Sequence, residues 1–479
     1  MNAVGIDLLN NFSEKEIIGL SALVNCTHFN TDKYVVRLLE VLRRDVLGKG
    51  NFEGKLRYRV YEKVFSEKVS AKGWTETQRK LMSAKLTSLT RLAERFLAIE
   101  ALEGNQVYRG DLLYQKLLEK RQYSLFERKM KQEKKILAAQ PERDLTYHNR
   151  CDVLEKNRLD YLHQTERIYK EDNIPDLWYH LEIKHCLEKL SFYITVLSLE
   201  IIRDNKYDTP SIPATLELLN LPEYAQHPML QIYKATIDLM QTQDKAVYQN
   251  LLDMLLQNVA HIPKSDLNGF CGTLTNFCID QVRKEQFSYR DLFELYQRIE
   301  AQNLFIEGDF VSAVNFKNII VAACRVDEFD WAETITQKYK PLIKREIQES
   351  VYRFNMGVIA FYRKDYNTAI PHFVRVDNFN ADYYANCKIL MIKAHYETDK
   401  DYDERTIQIF RAAEKFFKDN KHLSIVKKKR GRNFCRILTY AYKFRHRNTK
   451  MTLDSIKTKL DKQSVSDKTW LLEKIGELP

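Results

Sequence analysis

Glycine and proline are scarce in this chain. Its 479 residues include 14 Gly and 10 Pro, less than half of the roughly 7% and 5% found in ordinary globular proteins. Turn-dense all-β folds, collagen-like repeats and disordered low-complexity classes are thereby excluded. No Gly-rich phosphate loop, Cys-x-x-Cys pair or nucleophile motif is present, and no metal-ligand cluster stands out. The longest uncharged run, from Ile17 to Thr31, spans 15 residues and contains Asn25, Thr27, His28 and Asn30. It is too short and too polar for a bilayer, which needs about 20 apolar residues. The first Lys or Arg is Lys15, so no secretory n-region is expected. The eight cysteines are scattered through apolar stretches, a pattern expected of reduced thiols in a cytoplasmic protein.

Charge is abundant but has a location. The chain carries 76 Lys and Arg against 65 Asp and Glu, a net of +11. Residues 421–450 hold 11 Lys/Arg and no acid, leaving 65 of each sign elsewhere. A neutral body with one basic segment is a narrower finding than a generally basic, nucleic-acid-coating protein.

The local signals are helical. Ser13 with Glu16, and Thr75 with Gln78, have the spacing of capping boxes, and Asp32 can cap a third helix. From 76 to 102, Leu81, Met82, Leu86, Leu89, Leu92, Phe96, Leu97 and Ile99 fall mostly at three- and four-residue steps, which predicts one long amphipathic helix. Before Pro141 only polar or Gly-containing loops, at 49–51 and 72–74, interrupt the pattern. Residues 110–138 and 142–172 are highly charged, with apolar residues at helical spacing. Each is expected to form a helix of about 30 residues, the two making an antiparallel hairpin. A more apolar helix is expected around 176–203, and the stretch 205–213, with two prolines, marks a boundary. The expected fold is all-α, a helical-hairpin superhelix. Its parts are an N-terminal helical domain (1–105), a long-helix region (106–205) and helical repeats with a C-terminal cap (206–479). That length suits two to four domains or one repeat structure.

An internal repeat supports this. Phe329-Asp-Trp-Ala332, Tyr366-Asn-Thr-Ala369 and Tyr402-Asp-Glu-Arg405 are separated by 37 and then 36 residues, near the period of helix–turn–helix repeats. An aromatic can plug the hairpin, and alanine lets two helix backbones approach. Asn355-Met-Gly-Val-Ile-Ala-Phe-Tyr362, Asp365-Tyr366, Ala369-Ile370 and Phe373 resemble one tetratricopeptide repeat. The neighbours at 329 and 402 match more loosely: Arg405 replaces the small residue, and no repeat ends in the family's proline. Three further pieces resemble a family of bacterial helical-repeat proteins to which no activity is attached. They are Leu92–Leu97 followed by Leu117–Arg121, Phe379–Glu397, and Trp470–Ile475.

Two candidate sites follow. The tetratricopeptide resemblance implies a concave surface that binds a protein partner, with Asn355 and Tyr362 available on it. A clamp for a peptide C-terminus is not supported, because the position equivalent to Asn355 one repeat later is near Ile389. The second candidate is the basic segment 421–450. There Lys427, Lys428, Lys429, Arg430, Arg432 and Arg436, interleaved with aromatics, could neutralise RNA or DNA phosphates. Against this, Val426, Phe434, Ile437, Leu438 and Tyr442 can form a buried stripe and leave the charges as a solvated face. Cys271 and Cys278, seven apart, and His180 and His185, five apart, lack the partners of a metal site. The expectation is a non-catalytic scaffold or adaptor without cofactor, metal or membrane insertion, the alternative being a nucleic-acid-associated protein. Trp470, Leu471 and Leu472 are expected to seal the last repeat.

Overall fold

The computed structural model describes residues 3–48, 52, 54–70, 73–307 and 310–479. Residues 49–51 and Lys72, within two of the expected loops, lie outside this set. Among the described residues there are 24 α-helices and one short two-stranded hairpin, so the fold is all-α as expected. No helix among them is long and apolar enough to cross a membrane, and no disulfide joins their cysteines. The chain divides into two compact units. The first comprises the residues up to Ala139 and Thr146–Leu181; the second comprises Gln140–Leu145 and Glu182–Pro479.

The first unit contains α1 (Ala3–Asn10), α2 (Glu14–Asn25), α3 (Lys33–Asp45), α4 (Lys55–Phe65), α5 (Glu76–Gly104), α6 (Gln106–Glu119) and α7 (Tyr123–Ala139). It also takes in nearly all of α8 (Leu145–Gln164) and the start of α9 (Ile174–Arg203). Both capping boxes form, at Ser13–Glu16 and Thr75–Gln78, and the Asp32 carboxylate accepts from the Tyr34 amide. The α5 stripe buries Met82, Leu86, Leu89 and Phe96 against Leu20, Val35, Leu38 and Val60 from α2, α3 and α4. Tyr114, Leu117, Phe126, Met130, Leu154 and Leu162 make a separate core between α6, α7 and α8.

The expected pair of 30-residue helices does not form. Arg121 adopts a left-handed conformation (φ 55°). Its amide donates to the Leu118 carbonyl at 2.9 Å, while the Gln122 amide reaches back to Leu117 at 2.8 Å. That six-to-one closure ends α6 and turns the chain into α7. Glu166, also left-handed (φ 57°), follows the end of α8. The helix expected at 176–203 is present as α9, and the division between the units falls within it, not at 205–213.

The second unit begins with α10 (Ile212–Leu218), α11 (Pro222–Ala225), α12 (Pro228–Thr242), α13 (Lys245–Asn258), α14 (Lys264–Arg283) and α15 (Tyr289–Ala301). The hairpin β1 (Ile306–Glu307) and β2 (Phe310–Val311) pairs antiparallel and leads into α16 (Ala313–Cys324) and α17 (Phe329–Tyr339). Then come α18 (Gln348–Tyr362), α19 (Tyr366–Val374), α20 (Ala381–Thr398), α21 (Glu404–Asp419), α22 (Ile425–Arg445), α23 (Leu453–Asp461) and α24 (Lys468–Gly476). Consecutive helices pack as hairpins: α12 on α13, α14 on α15, α16 on α17, α18 on α19 and α20 on α21.

The 37-residue repeat has a structural counterpart. Phe329 and Tyr366 open the second helices α17 and α19, and Ala332 and Ala369 are fully buried behind them. The turns before these helices each contain a left-handed residue, Asp327 and Lys364. In α21 the buried position shifts by one, from the exposed Arg405 to Thr406. Close helix approach also explains two glycines. A Cβ on Gly357 would stand 2.7 Å from the Phe373 ring, and one on Gly431 would meet the Phe417 ring. Neither close-packed ring can yield to an added methyl without strain.

Candidate functional site

Within the second unit, α14, α15, α16, α18, α20, α21 and α22 contribute to the wall of one groove of about 550 Å³. Its lining mixes aliphatic residues such as Val321, Ile389 and Val465 with Tyr289, Tyr296 and Tyr362 and with several charges. Among the lining residues Phe354 is structural: it is buried, and its ring centroid lies 4.6 Å from that of the buried Tyr383.

The charges on this wall reach different endpoints. The Lys427 ammonium pairs with Asp382 at 2.8 Å, joining α22 to α20. Lys393, almost completely buried, pairs with Asp467 and lies 4.7 Å from the centroid of the Trp470 ring. Burial holds the Lys393 pKa below the usual lysine range despite that carboxylate. Asp467 also caps α24, accepting from the Trp470 amide. Lys317, half-buried on α16, forms no ion pair among the described residues. Burial lowers its pKa, the Lys427 charge lowers it further, and Asp382 opposes both. The Arg430 guanidinium donates to the Ser464 hydroxyl at 3.0 Å. Beside the groove, the Arg325 guanidinium lies between two of the lining rings, 5.3 Å from Tyr289 and 5.1 Å from Tyr362. Burial pushes the Tyr362 phenol up to about 12, keeping it neutral and a hydrogen-bond donor.

The two residues expected on the open face of α18 separate. Tyr362 lines the groove. Asn355, seven residues earlier, is fully buried, and neither polar atom of its side chain has a hydrogen-bond partner. The middle of α18 is enclosed by α16, α17, α19 and α20, whereas its C-terminal end meets the groove. Asn355 is therefore an interior residue.

The six basic candidates do not form one face either. Lys427 and Arg430, three apart on α22, line the groove. Arg436 points elsewhere and pairs with Glu414 of α21 at 2.6 Å. Lys429 is exposed, Lys428 is half-buried, and Arg432 is half-buried with a partnerless Nε. Phe434, Ile437, Leu438 and Tyr442 form the expected buried stripe; Val426 lies outside it and is exposed.

Sequence reasoning does not single out Lys317, Lys393 or Asp467, and reaches Asp382 only within the Phe379–Glu397 resemblance. The available signal was a lone lysine within an apolar stripe, as in Phe316-Lys317 and Ile392-Lys393. Elsewhere, burial pushes the Cys271 and Cys278 thiols up to about 12, the opposite of what thiolate ligation requires. His180 faces His148 with Nδ1 atoms 3.1 Å apart, while His185 is exposed. No group of three or more metal-ligating side chains converges among the described residues. The groove thus offers cations, phenols and aliphatic surface, the inventory of non-covalent recognition. Comparison of the chain with protein-family models, with curated proteins and with solved structures gives no match.

Proposed function

We propose that this chain is a non-catalytic scaffold or adaptor that binds a protein partner through the groove of its helical-hairpin unit. The observation carrying this reading is that groove: about 550 Å³, walled by seven helices, with apolar and charged side chains interspersed. Sites of this kind orient a ligand with a few polar groups and hold it with apolar surface. The tetratricopeptide-like spacing supports the same reading, since helical repeats serve as binding surfaces. Seven of the eight thiols are buried and none is joined in a disulfide, which agrees with a cytoplasmic setting. A second reading, nucleic-acid association through 421–450, keeps support from the exposed Lys429 and its neighbour Lys428. The pairing of Lys427 and Arg436 with acids weighs against it.

Affinity capture from native lysate, with and without nuclease and at two salt concentrations, tests the choice. The expected result is a discrete protein that survives nuclease and is lost from Asn386→Trp, which places a bulky ring on the exposed groove wall. If nucleic acid co-purifies instead and disappears when Lys427, Lys428, Lys429 and Arg430 are changed to Gln, the second reading replaces the first.

A further inference from the structure

The groove's charge is unbalanced in a way that specifies an occupant. Arg283, Lys317, Lys393, Lys427 and Arg430 line it, against the carboxylates of Asp382 and Asp467. Both carboxylates are committed, Asp382 to Lys427 and Asp467 to Lys393. Arg283, Lys317 and Arg430 therefore lack an ion-pair carboxylate among the described residues. The Tyr296 hydroxyl, on a lining residue only 2% exposed, also has no hydrogen-bond partner.

We propose that the groove binds an acidic peptide segment with interspersed apolar residues, whose carboxylates are received by Lys317, Arg283 and Arg430. This rests on the adaptor reading and names the partner's chemistry. An extended peptide turns successive side chains in alternate directions, so acids and apolar residues can meet the cations and the Val321, Ile389 and Val465 surface together. A carboxylate beside Lys317 would compensate the charge that burial and Lys427 leave unsupported. A single nucleic-acid strand fits less well. It needs open aromatic faces for its bases, but Arg325 is already positioned over Tyr289 and Tyr362. It would also gain little from the aliphatic wall.

The test is to pan a random peptide library against the full chain, then measure the enriched peptides and a random-sequence single-stranded RNA by fluorescence anisotropy. The enriched peptides should be rich in Asp and Glu. They should lose about tenfold or more in affinity against the Lys317→Gln, Arg430→Gln double variant and fail to bind Asn386→Trp. If the half-buried Lys317 does not tolerate Gln, the exposed pair Arg283→Gln, Arg430→Gln carries the same test. Enriched peptides without acidic bias, but still blocked by Asn386→Trp, would overturn the acidic occupant and leave the adaptor reading standing. No enrichment, or enrichment indifferent to Asn386→Trp, would overturn both. RNA that competes the peptides from the groove would transfer the site to nucleic acid.

Discussion

His227 caps α12, its Nδ1 accepting from the Leu230 amide at 3.4 Å. That role requires an unprotonated Nδ1. Burial, reinforced by the charge of Arg143, pushes the pKa down to about 4 from the ordinary 6.5. Between these values the unfolded chain binds a proton that the folded chain does not, so stability falls as pH drops from about 6.5 toward 4. The loss reaches about 3 kcal/mol below that window. Asparagine keeps the cap without titrating. His227→Asn should therefore lose less stability than the native chain between pH 7 and 4.5, measured by urea unfolding under circular dichroism. Equal losses would assign the acid sensitivity to other groups.

Helix ends are legible in the sequence where a side chain acts on its own backbone. Ser13, Asp32 and Thr75 cap because each oxygen needs only an amide two or three residues away. The break at 120–122 was not legible, because no Gly, Pro or Asn marks it and the residue forced into the left-handed region is Arg121. That conformation costs a non-glycine residue roughly 1–2 kcal/mol, partly offset by glycine's freedom in the unfolded chain. Arg121→Gly should accordingly stabilise the first unit by about 0.5–1 kcal/mol, raising its melting temperature. A destabilised variant would mean that the Arg121 side chain contributes more than the strain it causes.

At the scale of the whole molecule, the end of the second unit needs a seal, and α24 supplies it. Leu471 and Ile475 are buried in the last core with Phe434, Leu438 and Tyr442, whereas Leu472 is exposed and takes no part. Trp470 is half-buried, 6.0 Å from the Phe434 ring and 5.7 Å from that of Tyr396. Leu471→Ala should cost about 2–5 kcal/mol by thermal or urea unfolding. Trp470→Ala should cost roughly 2 kcal/mol, below the full price of a buried aromatic. The reverse order would make Trp470 the principal cap.

The sequence by itself determined the all-α class, the capped starts of α2, α3 and α5, the extent of α9 and the 37-residue alternation of aromatic and alanine. These depend on neighbours within a few residues, or on a period that one helix turn or one hairpin imposes. Only the tertiary structure decided which charges meet. Asn355 and Tyr362 share a helical face, yet the packing of four helices around the middle of α18 buries one and leaves the other on the groove. Lys427 and Arg436 belong to one basic run but pair with acids of different helices, α20 and α21. Lys393 and Asp467, 74 positions apart, become partners because α24 closes over α20 and α22. Pairings at that separation leave no period or local motif behind, since any lysine in the stripe and any acid in the closing loop would read alike until the helices are packed.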